Sequence, residues 1–150
     1  MRSRWTLPLA LLITGCLNPS TLLINDEGQM HRCAASGAGA LGMAMAGSEH
    51  GRCVTDMKKV GYVPVSDATL GIFTKAGSDE IVRFSLTSHA PAAGIRVGDR
   101  FLQVNGQPVV PVTALMRTLE GKKAGDVVSV TIARDAQEIT LPVRLREREE

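Results

Sequence analysis

The sequence predicts a mostly β protein: a small, partly open β-barrel with two short helices, behind a disulfide-closed, Gly/Ala-rich segment and a short helix of its own. Three observations predict it. From about Pro64 onward, apolar runs short enough for strands alternate with Gly, Asp and Asn turn residues. One amphipathic stretch, Val112, Leu115, Met116 and Leu119, recurs at i, i+3, i+4 and i+7 after Pro111 and stops at Gly121. Two cysteines, Cys33 and Cys53, enclose a stretch dominated by Ala, Gly and Met.

The 150 residues supply one ordinary domain and a modest appendage. Aromatic residues are only 3%, so the core must come from Val, Leu and Ile, and base-stacking readers of single-stranded RNA are disfavoured. Net charge is +2, and removal of Arg2 and Arg4 with a leader leaves 15 basic and 15 acidic residues. A neutral chain without a basic stripe has no electrostatic claim on nucleic acid.

Residues 1–15 read as a signal peptide. Arg2 and Arg4 form its positive start, Trp5 to Ile13 its apolar stretch, and Thr14-Gly15 its small-residue end. That apolar stretch is well short of the roughly 20 residues a membrane-spanning helix needs. Ile13-Thr14-Gly15-Cys16 resembles the lipobox of bacterial lipoproteins, which implies a lipidated Cys16 as the first mature residue. Two or more acyl chains hold a protein stably at a bilayer where one does not. Leu17, rather than Asp, after the cysteine favours the outer membrane, with the folded body facing the periplasm.

Residues 16–64 then form a lipidated tether and a small cysteine-bearing segment. Leu17 to Gln29, with its Asn18-Pro19-Ser20-Thr21 run, suits a linker. In an oxidising compartment with Cys16 taken by lipid, Cys33 and Cys53 form the default pair. The competing arrangement is a zinc site from His31, Cys33, His50 and Cys53, since both residue types ligate zinc at short spacings. Gly37-Ala38-Gly39-Ala40-Leu41-Gly42 matches GxGxxG, but no strand precedes it and no βαβ unit surrounds it, so composition explains it. Ala34 to Gly47 reads as a close-packing or flexible segment, with a helix over Leu41 to Ala46 as one form it can take. Cys53, Met57 and Val60 at i, i+4 and i+7 before Gly61 predict a short helix.

Residues 65–146 form the main domain and 147–150 a charged tail. Strands are expected at Leu70 to Thr74, Ile81 to Leu86, Arg100 to Val104, Val127 to Ala133 and Glu138 to Leu145. Turns fall at Gly77-Ser78-Asp79, Asn105-Gly106 and Asp135-Ala136. A helical turn is expected at Pro91-Ala92-Ala93.

The run Ser88-His89-Ala90-Pro91-Ala92-Ala93-Gly94-Ile95-Arg96-Val97-Gly98-Asp99, continuing through Phe101 to Val109, resembles the signature of PDZ domains. The helix after Pro111 and the Gly125-Asp126 turn extend the likeness over roughly residues 65–145. The layout is similar to the permuted PDZ modules of bacterial exported proteins, such as those attached to periplasmic trypsin-like proteases, where a C-terminal strand completes the sheet. One departure is His89 after Ser88, where the pattern has proline. The resemblance implies peptide binding by strand addition, with the peptide's carboxylate in a nest of backbone N–H groups. Leu70-Gly71-Ile72, preceded by Thr69, matches the aliphatic-Gly-aliphatic carboxylate loop. Ile72-Phe73-Thr74 is then the free strand edge, Val112 and Met116 the groove wall, and Leu115 and Leu119 core residues. Gly71, as a groove position, is expected to tolerate substitution with little loss of stability.

No GxSxG elbow or HExxH helix is present, and His31, His50 and His89 are scattered without a paired nucleophile. The sequence therefore points to a binding module that needs no cofactor and no metal, whose partners are protein or peptide C-termini in the envelope. An assembly component with an unused groove is the alternative.

Overall fold

A computed structural model describes residues 16–149; the signal-peptide reading of 1–15 lies outside the described residues. The main domain is built on a four-stranded antiparallel sheet in the order Gln107–Pro108, Arg100–Val104, Val127–Arg134, Gln137–Arg144. Val127–Arg134 and Gln137–Arg144 pair along eight residues from Val127↔Arg144 to Arg134↔Gln137, and Asp135 and Ala136 adopt the positive φ of a tight hairpin turn. A register shift between Thr131 and Ile132 bends the central strand where it meets Arg100–Val104. A second hairpin, Ile72–Thr74 with Ile81–Phe84, is joined to this sheet through the Glu80↔Arg100 bridge. Sheets that touch without closing make the partly open barrel.

Alternation along Val127–Arg134 buries Val128, Val130 and Ile132. They meet Leu70, Ile81, Ile95, Phe101, Val104, Val143 and Leu145 in one apolar cluster. The predicted helix is present as Val112–Leu119 (α2 below), packing Leu119 into this core with Leu115 and Met116 at its border. The predicted strands appear with small changes of end: the first starts at Ile72 because Gly71 turns the chain, and the second stops at Phe84.

The N-terminal part departs further from expectation. Leu17 to Gln29 is not a linker: Ser20–Ile24 is the central strand of a three-stranded sheet between Met30–Ala34 and Val63–Pro64. Leu23 and Ile24 are buried in it. Cys16–Leu17 pairs with Gly37–Ala38. The loop and short helix between and after the cysteines are one continuous helix, Gly39–Lys59 (α1), despite three internal glycines that each cost about 1 kcal/mol against Ala. Two tertiary restraints outweigh that penalty. The Cys33–Cys53 disulfide ties the Met30–Ala34 strand to α1, with Cα atoms 5.8 Å apart. Gly37 lies so close to the carbonyl of Gly42 that a side chain at 37 would overlap it. The GxGxxG spacing therefore has a packing reason, which composition alone does not supply. The charged C-terminal residues are also ordered into the fold: Arg146–Glu147 pairs with Ala68–Thr69, and both Nε and Nη2 of Arg148 donate to the Ser66 carbonyl. No helix among the described residues is long and apolar enough to cross a membrane.

Candidate functional site

Ile72–Thr74 pairs on one side with Ile81–Phe84, and no strand among the described residues pairs with its other edge. Such an edge offers unpaired N–H and C=O groups to an incoming chain. The loop that leads into it is held from several directions. Leu70 is buried in the core, and its carbonyl accepts a hydrogen bond from Ser88 Oγ at 2.7 Å. Gly71 has φ +66°, the left-handed region where glycine is favoured, and its carbonyl accepts from Ser85 N at 2.9 Å. Thr69 Oγ1 accepts a longer bond, 3.3 Å, from Gly71 N.

Behind Gly71 there is no room. A Cβ there would collide with Ser85 Oγ and stand 2.9 Å from Arg146 Nε and 3.0 Å from Ser88 Cβ. The expectation that Gly71 tolerates substitution is therefore corrected: the residue is buried against the side chains of Ser85, Ser88 and Arg146 and has a left-handed conformation. Arg146 is only 11% exposed; its Nη1 donates to Thr87 Oγ1 at 2.6 Å and pairs with the Glu149 carboxylate at 2.9 Å. Its Nε and Ser85 Oγ are buried without hydrogen-bond partners, an uncommon state beside a loop. Sequence reasoning missed Arg146 and Ser85. Arg146 is the last residue of the expected domain, just beyond its last expected strand, and its only signal was its place after Leu145.

On the opposite side, α2 divides its predicted pair. Val112 shares a cleft with Thr74, the last residue of the free edge. Met116 lines a separate cleft of about 260 Å³ with Lys58, Tyr62, Val63 and Pro64, facing the N-terminal sheet. Thr113, on the same side as Met116, is fully buried, and its hydroxyl donates to Asp26 in the turn of the N-terminal hairpin. Phe73 and Thr74 are exposed, and the Arg83 guanidinium lies 3.6 Å over the Phe73 ring.

An ion pair fixes the Arg96–Asp99 turn, whose Asp99 carbonyl accepts the N–H of Ile81 in the strand that pairs with the free edge. Asp99, 3% exposed, accepts Arg134 Nε and Nη2 at 2.7 Å each and the backbone N–H of Arg96 at 2.7 Å. Arg134 Nη2 also donates to the Gly94 carbonyl. The Arg134 guanidinium is the main cause holding the Asp99 carboxyl below its usual range, against the opposing effect of burial.

The alternative zinc set is partly assembled. His31 Nε2 is 3.8 Å from Cys53 Sγ, but both sulfurs are committed to the disulfide. His50 Nε2 lies 3.0 Å from Thr21 Oγ1.

A family model described as PDZ domain matches residues 68–145, more than half of the chain. No curated protein matches the sequence. Similar solved structures include an HtrA-type protease AlgW with decapeptide, 16% identical over 56% of this chain, TM-score 0.46. An aminopeptidase N family protein from Idiomarina loihiensis is 21% identical over 56% of this chain, TM-score 0.44. A serine endoprotease from Yersinia pestis is 16% identical over 87%, TM-score 0.49. The chain covers 30%, 14% and 61% of those three chains, respectively.

Proposed function

The chain belongs to the PDZ domain family, and on that premise we propose that it captures hydrophobic C-termini or extended strands of envelope proteins along Ile72–Thr74. A PDZ domain binds peptide and is not itself catalytic, and in our reading the whole protein acts as a binding module. The observation that carries the reading is the unpaired edge that starts at the left-handed Gly71 and ends beside Val112. Backbone N–H groups around Gly71 would receive the carboxylate, with the Arg146 guanidinium, paired with Glu149, behind the loop.

The test is affinity for peptides with free hydrophobic C-termini, measured beside the same peptides amidated at the end. Binding of the free acids and loss on amidation are expected. Indifference of the protein to every peptide would favour an assembly component that meets its partners through other faces.

In the same reading, Cys16 carries the lipid that holds the protein at the membrane, with the outer membrane favoured. Support comes from Ile13-Thr14-Gly15-Cys16 at the end of an export signal and from the exposed, free thiol of Cys16. Mass spectrometry of the mature N-terminus checks it: lipid mass on the wild type and none on Cys16→Ser are expected, and a wild type without lipid overturns the anchor.

A further inference from the structure

Where the free edge ends, Thr74 lines a cleft of about 840 Å³. One wall belongs to the N-terminal hairpin, at Asp26, Glu27 and Gly28, and the other to the domain, at Thr74, Val110 and Val112. The hairpin turn is braced by its own hydrogen bonds. Asn25 is buried, its Oδ1 accepts Gln29 N at 2.8 Å, its backbone N–H donates to Gln29 O, and its carbonyl accepts Gly28 N. The bond between Thr113 and Asp26 fixes this turn against the first turn of α2. Val110, which lines the cleft, is 65% exposed, a large apolar side chain left open to solvent.

We propose that this cleft is a second subsite of the groove, which takes an apolar side chain at the fifth residue from a bound peptide's carboxyl end. The inference rests on the groove reading given above. An added strand advances about 3.3 Å per residue, so three edge residues pair only with the last three residues of a peptide. The next two must pass Thr74. Side chains alternate between faces, so the first, third and fifth residues from the end all point toward α2. The fifth arrives at Val110 and Val112. Two of the three carboxylates in the cleft are engaged, Asp79 by Arg100 through two hydrogen bonds and Asp26 by the Thr113 hydroxyl, which leaves Glu27 and Lys75, one of each sign. An apolar residue is what the exposed valine accepts, and the pre-formed turn means that little ordering cost opposes it.

The probe is a library of six-residue peptides with free carboxylates, fixed as Val, Leu or Ile at the end and random elsewhere, selected on the full chain. Wild type should enrich apolar over charged residues at the fifth position from the end by roughly tenfold, the ratio that 1.4 kcal/mol produces. Val110→Asp, checked by thermal melting for an unchanged fold, should erase that enrichment while affinity for peptides cut to the last three residues stays the same. A wild type that binds the library but shows no preference at the fifth position overturns the subsite and leaves the groove standing. A wild type that binds no peptide overturns the groove reading, and the subsite with it.

Discussion

The N-terminal part and the PDZ domain are stabilised by different means, although both combine a helix with a β-sheet. The domain folds around a contiguous apolar cluster of fourteen residues, from Ala68 to Leu145. The N-terminal part buries Leu23, Ile24, Cys33, Ala46 and Val63, and α1 contributes only Ala46 from its 21 residues. A region that buries so little needs a restraint other than apolar burial. Here the disulfide and the Gly37–Gly42 contact supply it, and an edge of the sheet leans on α2 through Val63–Pro64. The comparison teaches that a glycine can be the residue under most constraint in either region, at Gly37 by close approach and at Gly71 by both close approach and backbone sign.

The largest expected effect is on the domain side. Gly71→Val places a β-branched side chain at φ +66°, costing about 1–2 kcal/mol, and forces it into Ser85, Ser88 and Arg146, at about 1–3 kcal/mol more. The domain should lose roughly 2–5 kcal/mol in a denaturant melt, the sum of those two costs. Peptide affinity measured on this variant is meaningful only at temperatures where it is folded. Retention of wild-type stability would show that the loop opens to admit a side chain.

Next comes the covalent restraint. Cys33→Ser with Cys53→Ser removes a cross-link over 20 residues of sequence separation, worth about 3 kcal/mol by the chain-entropy estimate. The loss should fall on the N-terminal part, so hydrogen exchange should accelerate in α1 while Val128, Val130 and Ile132 stay protected. Equal acceleration in both regions would merge them into a single cooperative unit. Peptide mapping without reductant should recover the linked cysteines from exported protein.

How much of this was legible follows the same division. The domain's strands, α2 and its turns were readable because alternation and the i, i+3, i+4, i+7 repeat are local signals carried by Val128, Val130, Ile132, Leu115 and Leu119. Of α1 only the last turns, from Cys53, were readable; its earlier part was not, because Gly42, Gly47 and Gly51 oppose helix formation locally and the restraints that overrule them come from Gly37 and Cys33, outside the helix. The strand Ser20–Ile24 was hidden by Asn18-Pro19 before it and by the shortness of its apolar patch. At the site, the carboxylate loop and Val112 could be proposed from the resemblance to PDZ domains. Arg146 reaches Gly71 only through the pairing of Arg146–Glu147 with Ala68–Thr69, a contact between chain segments nearly eighty residues apart, and the turn of Met116 toward Tyr62 and Pro64 depends on a sheet the sequence did not announce.

A smaller effect separates the regions by pH. The Asp99 carboxyl is held below its ordinary value of 3.8 by Arg134 first, and the backbone N–H of Arg96 also lowers it. The folded state thus binds this proton less readily than the unfolded chain, so the stabilisation is complete above about pH 4 and is lost as pH falls below it. Asp99→Asn should cost the domain about 2 kcal/mol at pH 7, in the range for hydrogen bonds to a charged group, and should flatten the acid limb of its stability profile. An unchanged acid limb in the variant would assign the acid sensitivity to other carboxylates, with Asp79 beside Arg100 the first to examine.

The smallest expected effect tests the joint between the regions. Asp26 accepts the hydroxyl of Thr113, a fully buried residue of α2, and Arg117 Nη1 donates to the same hydroxyl at 3.4 Å. Asp26→Ala leaves the Thr113 hydroxyl with no acceptor in the hairpin turn, at a cost of about 1 kcal/mol. That cost is carried by the contact between the two parts and by neither core. The overall melting midpoint should therefore move little, while the turn at Asn25–Gln29 exchanges its amide protons faster and α2 keeps its protection through Leu119. The domain's affinity for three-residue peptides should stay at the wild-type value, because Ile72–Thr74 and the Gly71 loop are untouched. If Asp26→Ala instead lowers protection throughout α2, the turn is part of what holds the helix, and the domain depends on its N-terminal partner for its own groove wall.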